Sequence, residues 1–312
     1  MNQITNNIMM IKPVGFRYND QTAANNYYQT ILDNLSYNQI QRKALKEFNS
    51  FVDLLKNAGV NVIVIEDTIM PETPDSIFPN NWVSFHADGS IVLYPMCAKN
   101  RREERRRDIL DHLTYNYSFM INDIIDFTKF ENHNKYLEGT GSMILDRENK
   151  ICYACISIRT NYDLVTQFCK KFDYKPVCFT AYQDINKERK AIYHTNVMMC
   201  IAENFAVVCL ESIDDLDERE LVVKTLVSTN KEIIEISTNQ KLRFAGNMLQ
   251  VIGDKSYLVM STSAYNILNK DQKSVINKYC SILHSPLDTI EACGGGSARC
   301  MMAEIFLPKK LI

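Results

Sequence analysis

The feature that most constrains the fold is an alternation running the length of the chain, in which short apolar, β-rich runs are separated by segments with helical spacing. Ile8–Ile11, Val60–Ile65, Ile91–Tyr94, Met143–Leu145, Ile151–Ile158, Phe205–Leu210, Ile233–Ile236 and Tyr257–Met260 predict strands. The periodicity predicts helices near Ile40–Asn57, Arg101–Leu113, Tyr162–Phe172, Asp215–Ser228 and Ala264–Leu283. The chain is therefore expected to be α/β. Each helical segment lies between strand-like runs and no long Pro- or Ser-rich linker interrupts them, so one domain over residues 1–312, made of about five similar β/α units, is the simplest account. A doubly wound sheet is the commonest fold with such alternation. The Gly-x-Gly-x-x-Gly loop that would mark a nucleotide-binding version is missing after the first strand.

Composition narrows the function classes. A chain of 312 residues, 46% hydrophobic and 23% charged, can bury a large core. Its formal net charge of -2 gives no general attraction for nucleic acid or anionic lipid. The one dense basic run, Arg101-Arg102-Glu103-Glu104-Arg105-Arg106-Arg107, contains two acids and reads as the solvated face of a helix. No apolar stretch approaches the roughly 18 to 20 residues of a membrane-spanning helix. The opening Met1-Asn2-Gln3-Ile4-Thr5 lacks a basic region followed by an apolar core, so a cytoplasmic protein is expected. Ten cysteines are then expected as reduced thiols. Cys152 and Cys155 have redox-motif spacing, but residues three apart on a strand face opposite ways, which argues against a shared metal or disulfide. The five histidines show no ligand spacing, and no metal or cofactor is expected.

Four segments place reactive or polar groups beside strand ends or glycine-rich turns: Asp75-Ser76-Ile77-Phe78-Pro79-Asn80-Asn81-Trp82, Leu137-Glu138-Gly139-Thr140-Gly141-Ser142, Tyr193-His194-Thr195-Asn196 and Gly294-Gly295-Gly296-Ser297-Ala298-Arg299-Cys300-Met301. Three consecutive glycines let the backbone reach positive φ and approach a neighbour closely, which would present Cys300 to a cleft. A flexible turn before a buried free cysteine accounts for the same residues equally well. A thiol near pKa 8.5 needs a neighbour that favours the thiolate. His194 is a candidate: it sits at a strand edge, with Asn196 two residues on and facing the same side. Glu138 opens a glycine-rich turn, where a carboxylate either is solvated or holds a histidine in its protonated form.

These residues carry a family resemblance. Leu137-Glu138-Gly139, Ser157-Ile158-Arg159-Thr160, His194-Thr195-Asn196 and the glycine-rich Arg299-Cys300-Met301 stand in the order and approximate spacing of arginine deiminases, dimethylargininases and amidinotransferases, over nearly the whole chain. With Met10-Ile11-Lys12-Pro13, Asn19-Asp20-Gln21-Thr22-Ala23, Phe78-Pro79-Asn80-Asn81-Trp82 and Gly246-Asn247-Met248-Leu249, the sequence most resembles the citrulline utilisation hydrolase, or citrulline ureidase, branch of that guanidino-modifying superfamily. The resemblance implies the pentein fold, a five-bladed α/β propeller with pseudo-fivefold symmetry. It implies Cys300 as nucleophile, His194 as general acid/base and Glu138 as its carboxylate partner. It also implies Arg159 for the α-carboxylate of an amino-acid substrate, with Phe78, Asn81 and Asn196 completing the substrate site. A small-molecule substrate is the expected partner, and the sequence does not fix whether the chain forms a homo-oligomer.

Two departures bear on the substrate. Deiminases acting on a guanidinium usually carry aspartate where this chain has Asn81 and Asn196. A guanidinium would lose two ionic partners, each worth about 4 kcal/mol at roughly 4 Å and an effective dielectric near 20, before solvation is subtracted. A neutral ureido group presents a carbonyl oxygen beside N–H donors, and an asparagine amide matches it with one donor side and one acceptor side. Citrulline, cleaved to ornithine, ammonia and carbon dioxide, is therefore the expected substrate. An arginine or methylarginine deiminase is the next reading, and a noncatalytic pentein such as a ribosome-binding factor the last.

Overall fold

A computed structural model describes residues 2–310; Met1, Leu311 and Ile312, at the ends of the expected domain, lie outside it. The expected alternation resolves into five three-stranded sheets of one topology. In each, the central strand pairs antiparallel with a short strand on one side and parallel with the strand on the other. The sheets are Ala303–Glu304 with Asn7–Lys12 and Asn61–Glu66; Val83–Phe85 with Ser90–Leu93 and Asp123–Asp126; Ile144–Asp146 with Ile151–Cys155 and Lys175–Phe179; Met199–Ile201 with Phe205–Val208 and Glu232–Glu235; and Leu249–Ile252 with Ser256–Ser261 and Ser281–Ser285. A parallel pair needs a crossover, and the helices supply it: Tyr37–Asn57, Arg107–Tyr117, Tyr162–Phe172, Leu216–Ser228, and the pair Thr262–Ile267 and Lys270–Tyr279. The first sheet is completed from both ends of the chain, since Ala303 lies opposite Met9. An extra hairpin, Tyr182–Ile185 with Glu188–Ala191, stands apart from the five units.

Local signals explain the boundaries. Asn161 and Asp215 cap their helices through side-chain oxygens that accept backbone N–H groups of the first turn. The predicted helix Ala264–Leu283 is broken at Leu268, because Asn269 forms a capping box with Gln272 and starts a new helix. Its tail is the strand Ser281–Ser285, hydrogen-bonded alongside Tyr257–Ser261. The predicted helix Arg101–Leu113 is likewise two pieces, a 3₁₀ turn at Lys99–Glu104 and an α-helix from Arg107. The basic run is not a solvated face throughout. Arg101 and Glu104 are buried, because three-residue spacing eclipses them on a 3₁₀ turn and they pair inward. Cys152 and Cys155 face separate cores, as strand alternation requires.

The first strands of several neighbouring units lie against one another: Met199–Ile201 touches both Ile144–Asp146 and Leu249–Ile252, and Ala303–Glu304 touches Val83–Phe85. The turns leading into those strands are thereby gathered. Gly139–Ser142 packs against both Pro79–Asn81 and Thr195–Val197. No helix among the described residues is long and apolar enough to cross a membrane.

Candidate functional site

Every unit contributes a polar side chain from the turn before its first strand: Asn81 ahead of Val83, Glu138 ahead of Ile144, His194 and Asn196 ahead of Met199, Asn247 ahead of Leu249, and Cys300 ahead of Ala303. The chain segments are far apart in sequence, yet their side chains meet. Cys300 Sγ accepts hydrogen bonds from Asn196 Nδ2 and Asn247 Nδ2, each at 3.2 Å. Asn247 also accepts from Arg299 N–H through Oδ1 (3.0 Å) and donates to the Asn196 carbonyl (3.0 Å), so it ties the cysteine turn to the histidine turn. Two amide donors thus converge on one sulfur and fix its position.

His194 is extended and the turn Thr195–Val197 that follows is 3₁₀, so Asn196 reaches the site from a turn and not from a strand. His194 Nε2 lies 2.8 Å from Glu138 Oε2, which leaves Nδ1 for the cavity. Gly141 permits this closeness: a Cβ there would fall 2.9 Å from His194 Nδ1 and 2.4 Å from Asn81 Nδ2. Burial pulls the His194 pKa down to about 4 against the opposing pull of Glu138. Burial also pushes the Glu138 carboxyl up, but Arg159 and then His194 outweigh it and hold it well below the usual range. The favoured resting pair is a neutral imidazole beside a carboxylate, and not the protonated histidine that the position of Glu138 suggested. The Glu138 carboxylate is further held by the Cys97 N–H at 2.9 Å and Arg159 Nη1 at 3.4 Å.

Cys300, His194, Asn81, Arg159 and Phe78 line one cavity together with Asp75, Arg101, Tyr193, Asn26 and Gly294–Gly296. Glu138 and Asn196 sit behind its wall. Gly295 has φ +61° and closes the helix Asp288–Gly294, while Cβ atoms at Gly294 and Gly296 would come within 2.8 Å of the Phe78 ring. The three glycines thus let the turn wrap Phe78 before delivering Cys300. The cavity is small, about 20 Å³, room for a single water, and part of it is covered by a neighbouring segment. The cover is the stretch from Asn19 to Thr30: Asn26 Nδ2 donates to the Gly294 carbonyl (3.2 Å) and Gln29 Nε2 to the Cys293 carbonyl (2.9 Å). Arg159 is engaged from the same stretch. Its Nε and Nη2 meet Asn25 Oδ1, the former at 2.7 Å, Nη2 also reaches the Thr22 carbonyl at 3.0 Å, and its guanidinium stacks 4.8 Å from the Tyr193 ring centre.

Three residues of the site stand in segments quoted from the sequence but were given no role there. Arg101 donates through Nη1 to Asn81 Oδ1 (2.8 Å), grips Glu104 with two bonds of 2.8 and 2.9 Å, and reaches the Phe78 carbonyl. Arginine only donates, so it must meet the oxygen of Asn81, and the Asn81 NH₂ is turned toward Asn80, His194 and Gly141. Asp75 is buried with Oδ2 bonded to Asn19 and Thr22, while Oδ1 has no partner among the described residues. Burial raises its pKa against the pull of Arg101. The third is Asn247. Its signal was present, because Asn81-Trp82-Val83, Asn196-Val197-Met198 and Asn247-Met248-Leu249 repeat one pattern of asparagine before two apolar residues.

Similarity to known proteins bears on the fold and the family. No curated protein matches the chain in sequence. Among solved structures, ArgZ, an arginine dihydrolase from the ornithine-ammonia cycle in cyanobacteria, superposes with a TM-score of 0.71 at 17% identity, covering 97% of this chain and 41% of ArgZ. AgrE superposes at 0.73 and 19% identity, covering 98% of this chain and 40% of AgrE. The Pseudomonas aeruginosa enzyme DDAH, solved as a mutant with citrulline, superposes at 0.63 and 14% identity over 97% of this chain and 100% of its own. The chain thus spans about two-fifths of ArgZ and AgrE, and at these identities the likeness speaks for the fold. The profile described as N,N dimethylarginine dimethylhydrolase, eukaryotic, matches residues 12–307. That match covers nearly the whole chain, and with the motif order and the fold it places the chain in the dimethylarginine dimethylhydrolase family of the guanidino-modifying pentein superfamily.

Proposed function

We propose that the chain is a single pentein catalytic domain, its five units forming the blades of a five-bladed propeller, and that it hydrolyses L-citrulline to ornithine, ammonia and carbon dioxide. In this reading the Cys300 thiolate attacks the ureido carbon after His194 Nδ1 has taken its proton. The C–N bond breaks as His194 returns that proton to the leaving nitrogen, and a carbamoyl-thioester remains on sulfur. His194 then draws a proton from water, which attacks the thioester and releases Cys300 and a carbamate, and the remaining C–N bond of the carbamate breaks to give carbon dioxide and the second amine. Glu138 keeps the ring oriented with Nδ1 forward.

The observation that carries the citrulline reading is an asparagine amide at two places of the site, Asn81 on the cavity wall and Asn196 on the Cys300 sulfur. Asn81 is held by Arg101 with its NH₂ turned inward, a donor suited to a developing oxyanion. Asn196, behind the cavity wall, acts through the sulfur: its Nδ2 donates to Cys300 Sγ, where an aspartate could only accept. Asp75 and Arg159 would then take the α-ammonium and α-carboxylate, with Arg159 exchanging Asn25 for the substrate.

One observation favours a second reading. The unpartnered oxygen of Asp75 is an acid that a guanidinium could use, and ArgZ, of the same fold, is an arginine dihydrolase. Supplying citrulline and arginine separately and assaying ornithine and ammonia separates the two. Ornithine from citrulline is expected, and its absence sinks the preferred reading. Asn81→Asp should lower kcat/KM on citrulline about 10²-fold, the usual loss for one oxyanion donor, and raise turnover of arginine. Unchanged kinetics would show that the charge argument is wrong.

The pH dependence follows from His194. A neutral imidazole is needed to take the thiol proton, and burial sets its pKa at about 4, so activity is lost only as pH falls through that value. The expected profile of kcat/KM stays level on the acid side down to about pH 5. Glu138→Gln removes the group that raises the His194 pKa, so any acid limb should move lower still while kcat drops. An acid limb near 6.5 in the wild type would contradict the buried neutral pair.

A further inference from the structure

A second cavity of about 20 Å³ shares no lining residue with the Cys300 cavity, yet its wall is made by their chain neighbours: Thr140, Met248 and Arg299 border it, with Gln3, Arg147 and Glu304. Two guanidinium groups and one carboxylate face it. Arg299 is satisfied, donating through Nη2 to Glu304 at 2.6 Å and through Nη1 to the Met302 carbonyl at 2.9 Å. Arg147 is not. It is 2% exposed, its Nη1 has no partner among the described residues, and its Nε lies 3.9 Å from Glu304, beyond hydrogen-bond reach. Its guanidinium rests 4.1 Å from the Phe306 ring centre, a contact that offers no acceptor oxygen.

Charges do not balance around this space. Glu304 compensates one guanidinium, and it is spent on Arg299. Asp146, the preceding residue, is taken by Asn149 and by Lys231 at 3.6 Å, so that pair is already neutral. The Tyr174 hydroxyl lies close enough to Arg147 for a weak hydrogen bond as well as its charge to be felt, but an uncharged hydroxyl leaves the cation without a counter-charge. A buried charge without counter-charge or full hydrogen bonding is strongly unfavourable. The space is small, about 20 Å³, and suits a single small anion better than a polyatomic one.

We propose that this cavity binds a monatomic anion of the chloride class, held by Arg147 with Arg299 at its side. The site does not depend on which substrate the enzyme takes. It bears on the Cys300 turn through Arg299, whose backbone N–H holds Asn247, one of the two amides on the sulfur. Thermal unfolding of the wild type and of Arg147→Met, in chloride and in gluconate at equal ionic strength, tests it. The wild type should gain several degrees in chloride with a saturating concentration dependence, and Arg147→Met should show the same Tm in both salts. Equal wild-type Tm values would mean that water alone fills the space, and an undiminished chloride response in the variant would place the site elsewhere; either overturns the proposal. Should the variant not fold, wild-type crystals soaked in bromide decide. An anomalous peak beside Arg147 Nη1 supports the site, and an empty cavity refutes it.

Discussion

Replacing Cys300 with alanine should lower citrulline turnover by about 10⁴-fold or more, the loss typical when a covalent nucleophile is removed from a set of groups that act as one. The fold should survive, since Cys300 packs in a cluster with Ile290, Met301 and Met302 and a smaller side chain there leaves its neighbours in place. Acid quench of the wild type during turnover should show a carbamoyl group on Cys300 by mass spectrometry and on none of the other cysteines. The variant should show none. Activity within tenfold of the wild type would remove Cys300 from the chemistry, whatever its company.

The second large effect is expected at Arg101. Arg101→Met strips a counter-charge from buried Glu104 and a partner from Asp75, 4.0 Å away. Breaking one side of a buried pair costs about 3–5 kcal/mol. The double variant Arg101→Met with Glu104→Leu removes both charges and should recover much of that stability, because an apolar replacement of a whole pair is often close to neutral. Activity should not recover with it. Without Arg101 nothing fixes the Asn81 oxygen, its amide is free to turn, and kcat should stay down about 10²-fold, the usual worth of one aligned donor. Urea unfolding read beside kcat separates the roles: if the stable double variant regained wild-type kcat, Arg101 would be only a structural residue.

How much of this was written in the sequence varies with the kind of signal. The eight apolar runs expected as strands are strands, because most sit at sheet centres where both faces are buried and the composition shows it. The partners were harder. Val83–Phe85 and Met199–Ile201 are three residues each, too short for any periodicity, and Asp123–Asp126 carries an acid at each end. Arg101 was hidden by its surroundings, since a charge run argues for solvent until a buried acid three residues on is seen to meet it. Cys300, His194, Glu138, Asn81, Asn196, Arg159 and Phe78 were legible as motifs, and the fold brings them to one place. What the motifs did not show is that Arg159 is engaged by Asn25, or that the imidazole sharing a cavity with the cysteine is favoured neutral. Both depend on burial, which only the assembled chain creates.

The position of Ala303–Glu304 in the sheet begun by Asn7–Lys12 has a consequence for the nascent protein. A ribosome releases the chain from its amino end, so four of the five units can dock before Cys300 leaves the exit tunnel. The Cys300 turn stands just ahead of that last strand, and Arg299, whose N–H holds Asn247, is braced by Glu304 within it. A chain cut short before residue 303 would thus keep its histidine and carboxylate but lose the brace beneath its cysteine turn, and full competence for chemistry would arrive with the closing of the sheet.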